Sequence, residues 1–141
     1  MSMTRDELHN LIVDRCKHYG VAVELAEAIA MAESNYNPDA RGDYEDGQPM
    51  SFGAMQCYLK GACSGLTPEQ ASDPQVNIDR CVAYLKACVE AFPGDLKTAI
   101  SAYNQGIAGA RARGWEFTRV YVERVMSYLG GFRGILFCQV H

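Results

Sequence analysis

A single carboxylate lies on the apolar face of a predicted helix. The segment AEAIAMAESNYNP, which begins at Ala26, predicts a helix of small residues followed by a turn. At about 100° per residue, Ala26, Ile29 and Ala30 share one face of this helix, and Glu33 falls on the same face. Apolar surroundings would raise the pKa of its carboxyl group and keep it protonated near neutral pH. A protonated carboxyl group beside a loop suits general acid catalysis, although a frayed helix end with Glu33 in solvent fits the same pattern.

Cysteine and histidine give no comparable signal. The chain has six cysteines, at positions 16, 57, 63, 81, 88 and 138, and no CxxC pair, so the sequence predicts neither a metal site nor a cofactor. We expect most of them to be small buried apolar residues, while their even number permits disulfides. A cysteine peptidase or amidase would need a cysteine paired with a histidine. The three histidines, His9, His18 and His141, lie in no motif that supports this alternative.

The composition is that of one globular domain, residues 1–141. Of the 141 residues, 48% are hydrophobic and 21% are charged, which allows a sizeable core and excludes a disordered chain. The formal net charge is −4 and there is no run of basic residues, so we expect no nucleic acid partner. No apolar stretch is long enough for a membrane span. Charges interrupt the N-terminal segment, so we expect no signal peptide and synthesis in the cytoplasm.

Helical spacing dominates the elements that must position Glu33. A capping box of Thr4 and Glu7 predicts a first helix that Gly20 ends. Further helices are predicted over residues 22–34, 78–92, 96–106 and 117–129. We expect a long loop over 35–51, a short helix or turn over 55–63 and a loop over 65–74. The apolar tail, residues 130–141, fits a closing strand, a packed tail or a partner surface. The fold class is mainly α (α+β), with any small irregular sheet confined to residues 35–51.

Four short blocks resemble the motifs of one enzyme superfamily. ESNYNPDA, SFGAMQ, AYNQG and TRVYVERV begin at Glu33, Ser51, Ala102 and Thr118 and follow in that order. They resemble the E-S-x-[FY]-N-P-x-A, small-x-G-L-M-Q, A-Y-N-x-G and T-R-x-Y-V-x-x-V motifs of lytic transglycosylases and goose-type lysozymes. One block would be a weak signal, whereas four in order are specific. The resemblance implies a lysozyme-like fold, with helices around a catalytic cleft.

The resemblance also implies an enzyme that acts on the glycan strands of peptidoglycan. The bond cleaved is the β-1,4 bond between N-acetylmuramic acid and N-acetylglucosamine. Glu33 matches the catalytic glutamate, which protonates the leaving oxygen. In the transglycosylases the N-acetyl group of the sugar assists in place of a second carboxylate, which is the substrate-assisted exception among glycosidases. The same glutamate then acts as a base on the muramic C6 hydroxyl and leaves a 1,6-anhydro end.

The second block supplies four expected substrate-binding residues, which are Ser51, Gly53, Met55 and Gln56. By resemblance, Gly53 would let the backbone approach the sugar, and Gln56 would offer an amide to sugar hydroxyl or acetamido groups. Met55 would belong to the core or to the cleft wall. An ordinary turn glycine would explain Gly53 equally well, and without the motif a surface glutamine would be the favoured interpretation of Gln56.

The third and fourth blocks add Tyr103, Asn104 and Tyr121 as substrate-binding positions. By resemblance, Tyr103 lies beside the acid, Asn104 faces the sugar, and the Tyr121 hydroxyl orients the catalytic glutamate. Core tyrosines and a helix-end cap are their plainer interpretations. Two departures stand out: Ala54 replaces the usual leucine of the second motif, and Phe117 replaces an acid that helps the family to read the peptide stem. The sequence therefore leaves open whether the chain recognises the peptide stem.

Two alternatives change the reaction or remove it. If Asp43 or Asp46 held a water molecule opposite Glu33, the chain would be a hydrolytic goose-type lysozyme. A non-catalytic glycan-binding relative would keep the fold, but the intact glutamate argues against it. Because the cell wall lies outside the cytoplasm, we favour a phage-encoded or virion-associated enzyme that reaches the wall by release or injection. A secretion-system accessory whose leader was removed is the alternative. The sequence does not indicate the oligomeric state.

Overall fold

The chain divides into two compact units, Met1–Lys86 and Ala87–His141. The structure, a computed structural model, describes residues 3–130 and, beyond them, only the helical backbone of residues 131–140. Each unit is mainly helical, as the apolar spacing predicted. The division falls inside a long helix, and the expectation of one domain over residues 1–141 stays a prediction. In the described part of the chain, no helix is both long and apolar enough to cross a membrane.

The first unit begins with two helices that contact each other, α1 (Arg5–Tyr19) and α2 (Val23–Ser34). The predicted capping box is present. Thr4 Oγ1 accepts a hydrogen bond from the Glu7 N–H at 3.1 Å, and Glu7 Oε1 accepts one from the Thr4 N–H at 3.0 Å. Gly20 ends α1 in the left-handed conformation, at φ 73°. Both helices therefore begin and end close to their predicted positions.

A three-stranded antiparallel sheet follows α2. Its strands, in spatial order, are β1 (Arg41–Gly42), β2 (Ser51–Phe52) and β3 (Cys57–Tyr58). The sheet extends beyond residue 51, where we expected it to end. The cause is a turn over residues 53–56, which reverses the chain and pairs β3 with β2. Residues 55–63 are therefore a strand flanked by turns rather than a short helix.

Two further helices begin in the first unit, α3 (Pro68–Ser72) and α4 (Pro74–Ala91). The expected loop over residues 65–74 is wrong, because Thr67 and Gln70 form a second capping box with a proline at the first helical position. Apolar residues recur at helical spacing along α4. Five of them are buried, Ile78, Cys81, Val82, Leu85 and Cys88, whereas Val89 is 37% exposed.

The second unit continues from the end of α4 with α5 (Leu96–Gln105), α6 (Ile107–Arg113), a 3₁₀ turn (Trp115–Thr118) and α7 (Arg119–Val140). Helix α5 contacts each of the other three elements. The buried apolar side chains of this unit include Ile100, Ala110, Val122, Val125 and Leu129. The backbone of α7 continues through residues 131–140, which make up most of the expected tail. The side chains of these residues lie outside the described part of the chain.

Candidate functional site

Glu33 lies in the last turn of α2 and is half-buried. The face on which the sequence placed it is the buried face of the helix, since Ala26, Ile29 and Ala30 are each 0% exposed. The acid thus follows the apolar face at the point where the helix ends. Protonation of its carboxyl group near neutral pH stays a prediction.

Two residues in the left-handed conformation end the helix directly after Ser34. Asn35 has φ 55° and Tyr36 has φ 66°. The Asn35 N–H donates to the Met31 carbonyl at 2.9 Å, and the Tyr36 N–H donates back to the Ala30 carbonyl at 3.1 Å. This pattern satisfies the last carbonyl groups of the helix and turns the chain away. The position of Glu33 is therefore fixed by an ordered helix end.

Ser34 joins the first sequence block to the second. Its hydroxyl donates to the Ala54 carbonyl at 2.7 Å and accepts from the Asn37 N–H at 2.9 Å. Ala54 lies in the turn of the SFGAMQ block, 20 residues along the chain. One side chain next to Glu33 therefore holds both the turn after α2 and the turn after β2.

Gly53 occupies a position that only glycine fits. Its φ is +83°, and a Cβ atom added there would lie 2.6 Å from the terminal amide atoms of Asn77. Asn77 is 2% exposed, and its Nδ2 donates to the carbonyls of Phe52 at 2.6 Å and Ala71 at 2.8 Å. The close approach seen at Gly53 is thus to Asn77. This accounts for the glycine structurally, and its approach to a sugar stays a prediction.

Asn77 was missed in the sequence, although a signal for it was present. It lies on the apolar stripe of α4, four residues before Cys81, just as Glu33 lies four residues after Ile29. A polar residue on an apolar face is the same pattern that singled out Glu33.

Gln56 and Met55, the last two residues of the turn after β2, differ in burial. Gln56 is half-buried with φ 53°, and its Nε2 donates to the Gly53 carbonyl at 2.9 Å. A Cβ atom on Gly42 would meet Gln56 Oε1 at 2.5 Å, so the side chain packs against β1. Met55 is 0% exposed, which favours the core over the cleft wall. A direct sugar contact of Gln56 stays a prediction.

The two aspartates proposed to position water have different surroundings. The buried Ser51 hydroxyl donates to Asp43 Oδ2, which orients that carboxylate, and this pairing joins two predicted site residues. Asp46 is exposed and forms a two-residue hairpin turn with Gly47, at φ 51° and 77°. Positive φ at both central residues is the requirement of a type I′ turn, for which Asp-Gly is a favoured pair. Turn formation therefore accounts for Asp46, whereas Asp43 is held in place.

The second unit holds the remaining predicted residues. Tyr103 is 8% exposed and Tyr121 is 9% exposed, while Asn104 is exposed near the end of α5. A polar network missed in the sequence links their two blocks. The Gln105 Nε2 donates to Ser101 Oγ at 2.8 Å, and Ser101 Oγ shares a hydrogen bond with Thr118 Oγ1. Within this unit, the network ties α5 to the start of the fourth block.

The cysteines include one disulfide, between Cys57 in β3 and Cys63. Cys16 is buried, and burial raises the pKa of its thiol to about 11. A thiol that stays protonated at neutral pH is a poor nucleophile, which counts against Cys16 as the nucleophile of a cysteine peptidase. Cys81 and Cys88 are buried, as expected, and Cys138 lies outside the described side chains. Among the residues described, no group of three histidine, cysteine or acidic side chains could hold a metal ion.

Comparison with known proteins identifies a family and solved structures of similar fold. The family model described as Transglycosylase SLT domain matches residues 10–116. The chain is also similar to the X-ray structure of an inactive glutamate-to-glutamine mutant of the lytic transglycosylase Slt from Pseudomonas aeruginosa. The identity is 26%, the TM-score is 0.69, and the match covers 85% of this chain and 23% of that chain. The present chain thus spans less than a quarter of that protein. The predicted mainly α, lysozyme-like fold is confirmed.

Proposed function

Because the chain belongs to the family of transglycosylase SLT domains, as the four sequence blocks predicted, we propose that it cleaves the glycan strands of peptidoglycan. The bond is the β-1,4 bond between N-acetylmuramic acid and N-acetylglucosamine, and Glu33 is the general acid. The observation that carries this proposal is the position of Glu33. It is half-buried at an ordered helix end, and the neighbouring Ser34 holds the turn of the SFGAMQ block.

The proposed reaction uses one carboxyl group twice. Glu33 protonates the leaving glycosidic oxygen while the N-acetyl group of the muramic sugar assists from within the substrate. Glu33, now a carboxylate, removes the proton of the C6 hydroxyl. The C6 oxygen attacks C1, displaces the acetamido oxygen that had bonded there, and closes the 1,6-anhydro ring. Gln56 is proposed to contact the sugar through the part of its amide that Gly53 does not engage. Tyr103, Asn104 and Tyr121 enter the proposal through their motif positions alone.

Hydrolysis is the second candidate, and one observation favours keeping it. The buried Ser51 hydroxyl donates to the carboxylate of the exposed Asp43, and this contact supports a role for Asp43 in positioning water. Asp46 has no comparable support, because its conformation is explained by the hairpin turn. The two candidates differ in product, since an anhydro end is one water lighter than a reducing end.

The test is digestion of purified peptidoglycan by the wild type and by Glu33→Gln. Glutamine keeps the shape of the side chain but cannot donate the proton, so turnover should fall by at least about 10²-fold. The matched control is Glu24→Gln, another half-buried glutamate in α2, for which near-normal turnover is expected. Circular dichroism would verify that both variants fold. Near-normal turnover of a folded Glu33→Gln protein would end the proposal.

Mass spectrometry of the same digest separates the two reactions. We expect 1,6-anhydromuropeptides. Reducing ends alone, together with an inactive Asp43→Asn variant, would instead identify a hydrolase. Asparagine keeps an oxygen that can accept the hydrogen bond from Ser51, so this substitution removes the charge with little change in the hairpin.

The disulfide supports a site of action outside the cytoplasm. Disulfides persist in oxidising compartments, and Cys57–Cys63 joins β3, which follows the SFGAMQ block, to the turn after that strand. This agrees with an enzyme that meets its substrate in the cell wall. Delivery by a phage or a virion stays a prediction.

A further inference from the structure

A surface of the second unit combines exposed apolar side chains with cations. It surrounds the 3₁₀ turn between α6 and α7 and includes the first turn of α5. We refer to it as the cationic–aromatic patch, and it consists of Lys97, Arg113, Trp115, Phe117, Arg119 and Val120.

The apolar members of the patch protrude into solvent. Phe117 is 64% exposed and Val120 is 71% exposed, three residues apart across the start of α7. The exposure continues along one side of α7, where Arg124 and Tyr128 follow Val120 at helical spacing of four. Adjacent exposed large apolar side chains, rimmed by charge, are a common feature of interaction surfaces.

The cations of the patch are held against its aromatic rings. Lys97 Nζ and Arg119 Cζ each lie 4.7 Å from the centre of the Trp115 ring, and Arg113 Cζ lies 4.4 Å from that of Phe117. Arg113 is fixed further by a hydrogen bond from its Nε to Gln105 at 2.9 Å. Cation–π contacts therefore set the charges around the rings before any partner binds.

The charge of this region is opposite to that of the chain as a whole. Residues 111–124 contain four arginines and two glutamates, Glu116 and Glu123, and the start of α5 adds one cation, Lys97, and one anion, Asp95. The weak pair of Glu123 with Arg119, at 3.5 Å, offsets only part of this charge. Residues 87–141 carry six basic and four acidic residues, against seven and thirteen in residues 1–86. A partner that fits the patch is therefore anionic.

We propose that the cationic–aromatic patch docks on the surface of a lipid bilayer that contains anionic headgroups. Phe117 and Val120 would enter the boundary between headgroups and acyl chains, and the surrounding lysine and arginines would contact phosphates. Trp115, which is apolar with one polar N–H, suits the same boundary. A soluble polyanion would engage the cations but leave Phe117 and Val120 in water. This docking is independent of the proposed glycan cleavage.

The test is co-sedimentation of the full chain with two kinds of vesicle. We expect binding to phosphatidylcholine vesicles that contain phosphatidylglycerol, little binding to pure phosphatidylcholine, and a decrease as salt screens the charges. Phe117→Ser should weaken binding about tenfold through the lost apolar burial. Lys97→Gln should weaken it about fivefold, which corresponds to one cation near an anionic surface.

Matched controls come from the first unit. Tyr44→Ser removes another exposed aromatic side chain, 62% exposed, and Lys17→Gln removes another exposed cation, and neither should change vesicle binding. The proposal is overturned if the chain does not bind anionic vesicles at low salt, or if Phe117→Ser binds as well as the wild type. It is also overturned if soluble polyphosphate competes fully while Phe117→Ser has no effect, or if Phe117→Ser abolishes a dimer seen by analytical ultracentrifugation without vesicles. Circular dichroism would verify folding of each variant.

Discussion

Substitution of Gly53 by alanine tests the packing that holds the SFGAMQ turn. The added methyl group would lie 2.6 Å from three atoms of the Asn77 amide. That amide cannot move freely, because its nitrogen is engaged by two carbonyls, those of Phe52 and Ala71. The substitution must therefore displace Asn77 or distort the turn that carries Ala54.

The expected loss of stability has two parts. A residue with a Cβ atom pays roughly 1–2 kcal/mol for a left-handed conformation, and Gly53 has φ +83°. Displacing the buried amide of Asn77 leaves polar groups without partners, at about 1–3 kcal/mol. Together these terms predict that Gly53→Ala lowers the free energy of unfolding by about 2–5 kcal/mol.

Gly65→Ala is the matched control for the conformational cost of placing a residue with a Cβ atom at positive φ. Gly65 has φ +84°, and nothing lies within 4 Å of its added Cβ atom, so only the conformational cost applies. Urea denaturation of both variants gives the difference, which should be at least about 1 kcal/mol. A double-mutant cycle with Asn77→Ala should show that Gly53→Ala costs less once the amide is gone. If Gly53→Ala and Gly65→Ala lowered the free energy of unfolding equally, the expected steric clash between the added methyl group and Asn77 would be refuted.

Three further changes follow from single contacts. Tyr36→Phe should leave stability unchanged or raise it by about 1 kcal/mol, since the buried hydroxyl has no hydrogen-bond partner among the described residues; thermal unfolding would measure this. Reduction of Cys57–Cys63 should cost about 2 kcal/mol by loop entropy, seen as a lower Tm with reductant, and an unchanged Tm would contradict the pairing. Ser34→Ala should reduce kcat in peptidoglycan digestion through loss of the 2.7 Å bond to Ala54, whereas Ser72→Ala, which loses only a bond within its own helix, should not.

Helices and their buried faces were predictable because they depend on local spacing and local caps. The Thr4 capping box and Gly20 fixed α1, and the one-sided spacing of small apolar residues fixed α2 and the place of Glu33 on it. The same reasoning predicts α3, because Thr67 and Gln70 have the spacing of a second capping box. These signals lie within a few residues of one another, so no tertiary information was needed.

The sheet, and the packing of its turn at Gly53 against Asn77, were not predictable in the same way. Asp46-Gly47 is a hairpin signal that the sequence does contain, but strands of two residues carry no measurable alternation. The pairing of β3 depends on the turn at Gly53, and that turn depends on Asn77, 24 residues further along the chain. Contacts over such separations are set by packing, which spacing in one sequence cannot specify.

At the helix end beside Glu33, local preference and the observed conformation disagree. A bulky residue at positive φ is an outlier, and Tyr36 adopts φ 66° directly after Asn35 at φ 55°. The conformation persists because the surrounding structure holds the side chain. Tyr36 is only 6% exposed, and the Arg5 guanidinium lies over its ring, 4.8 Å from the ring centre. Strain that the surrounding structure maintains is concentrated at functional sites. Here it ends α2 at Ser34, so the acid lies at the end of its apolar face and beside the turn that Ser34 holds.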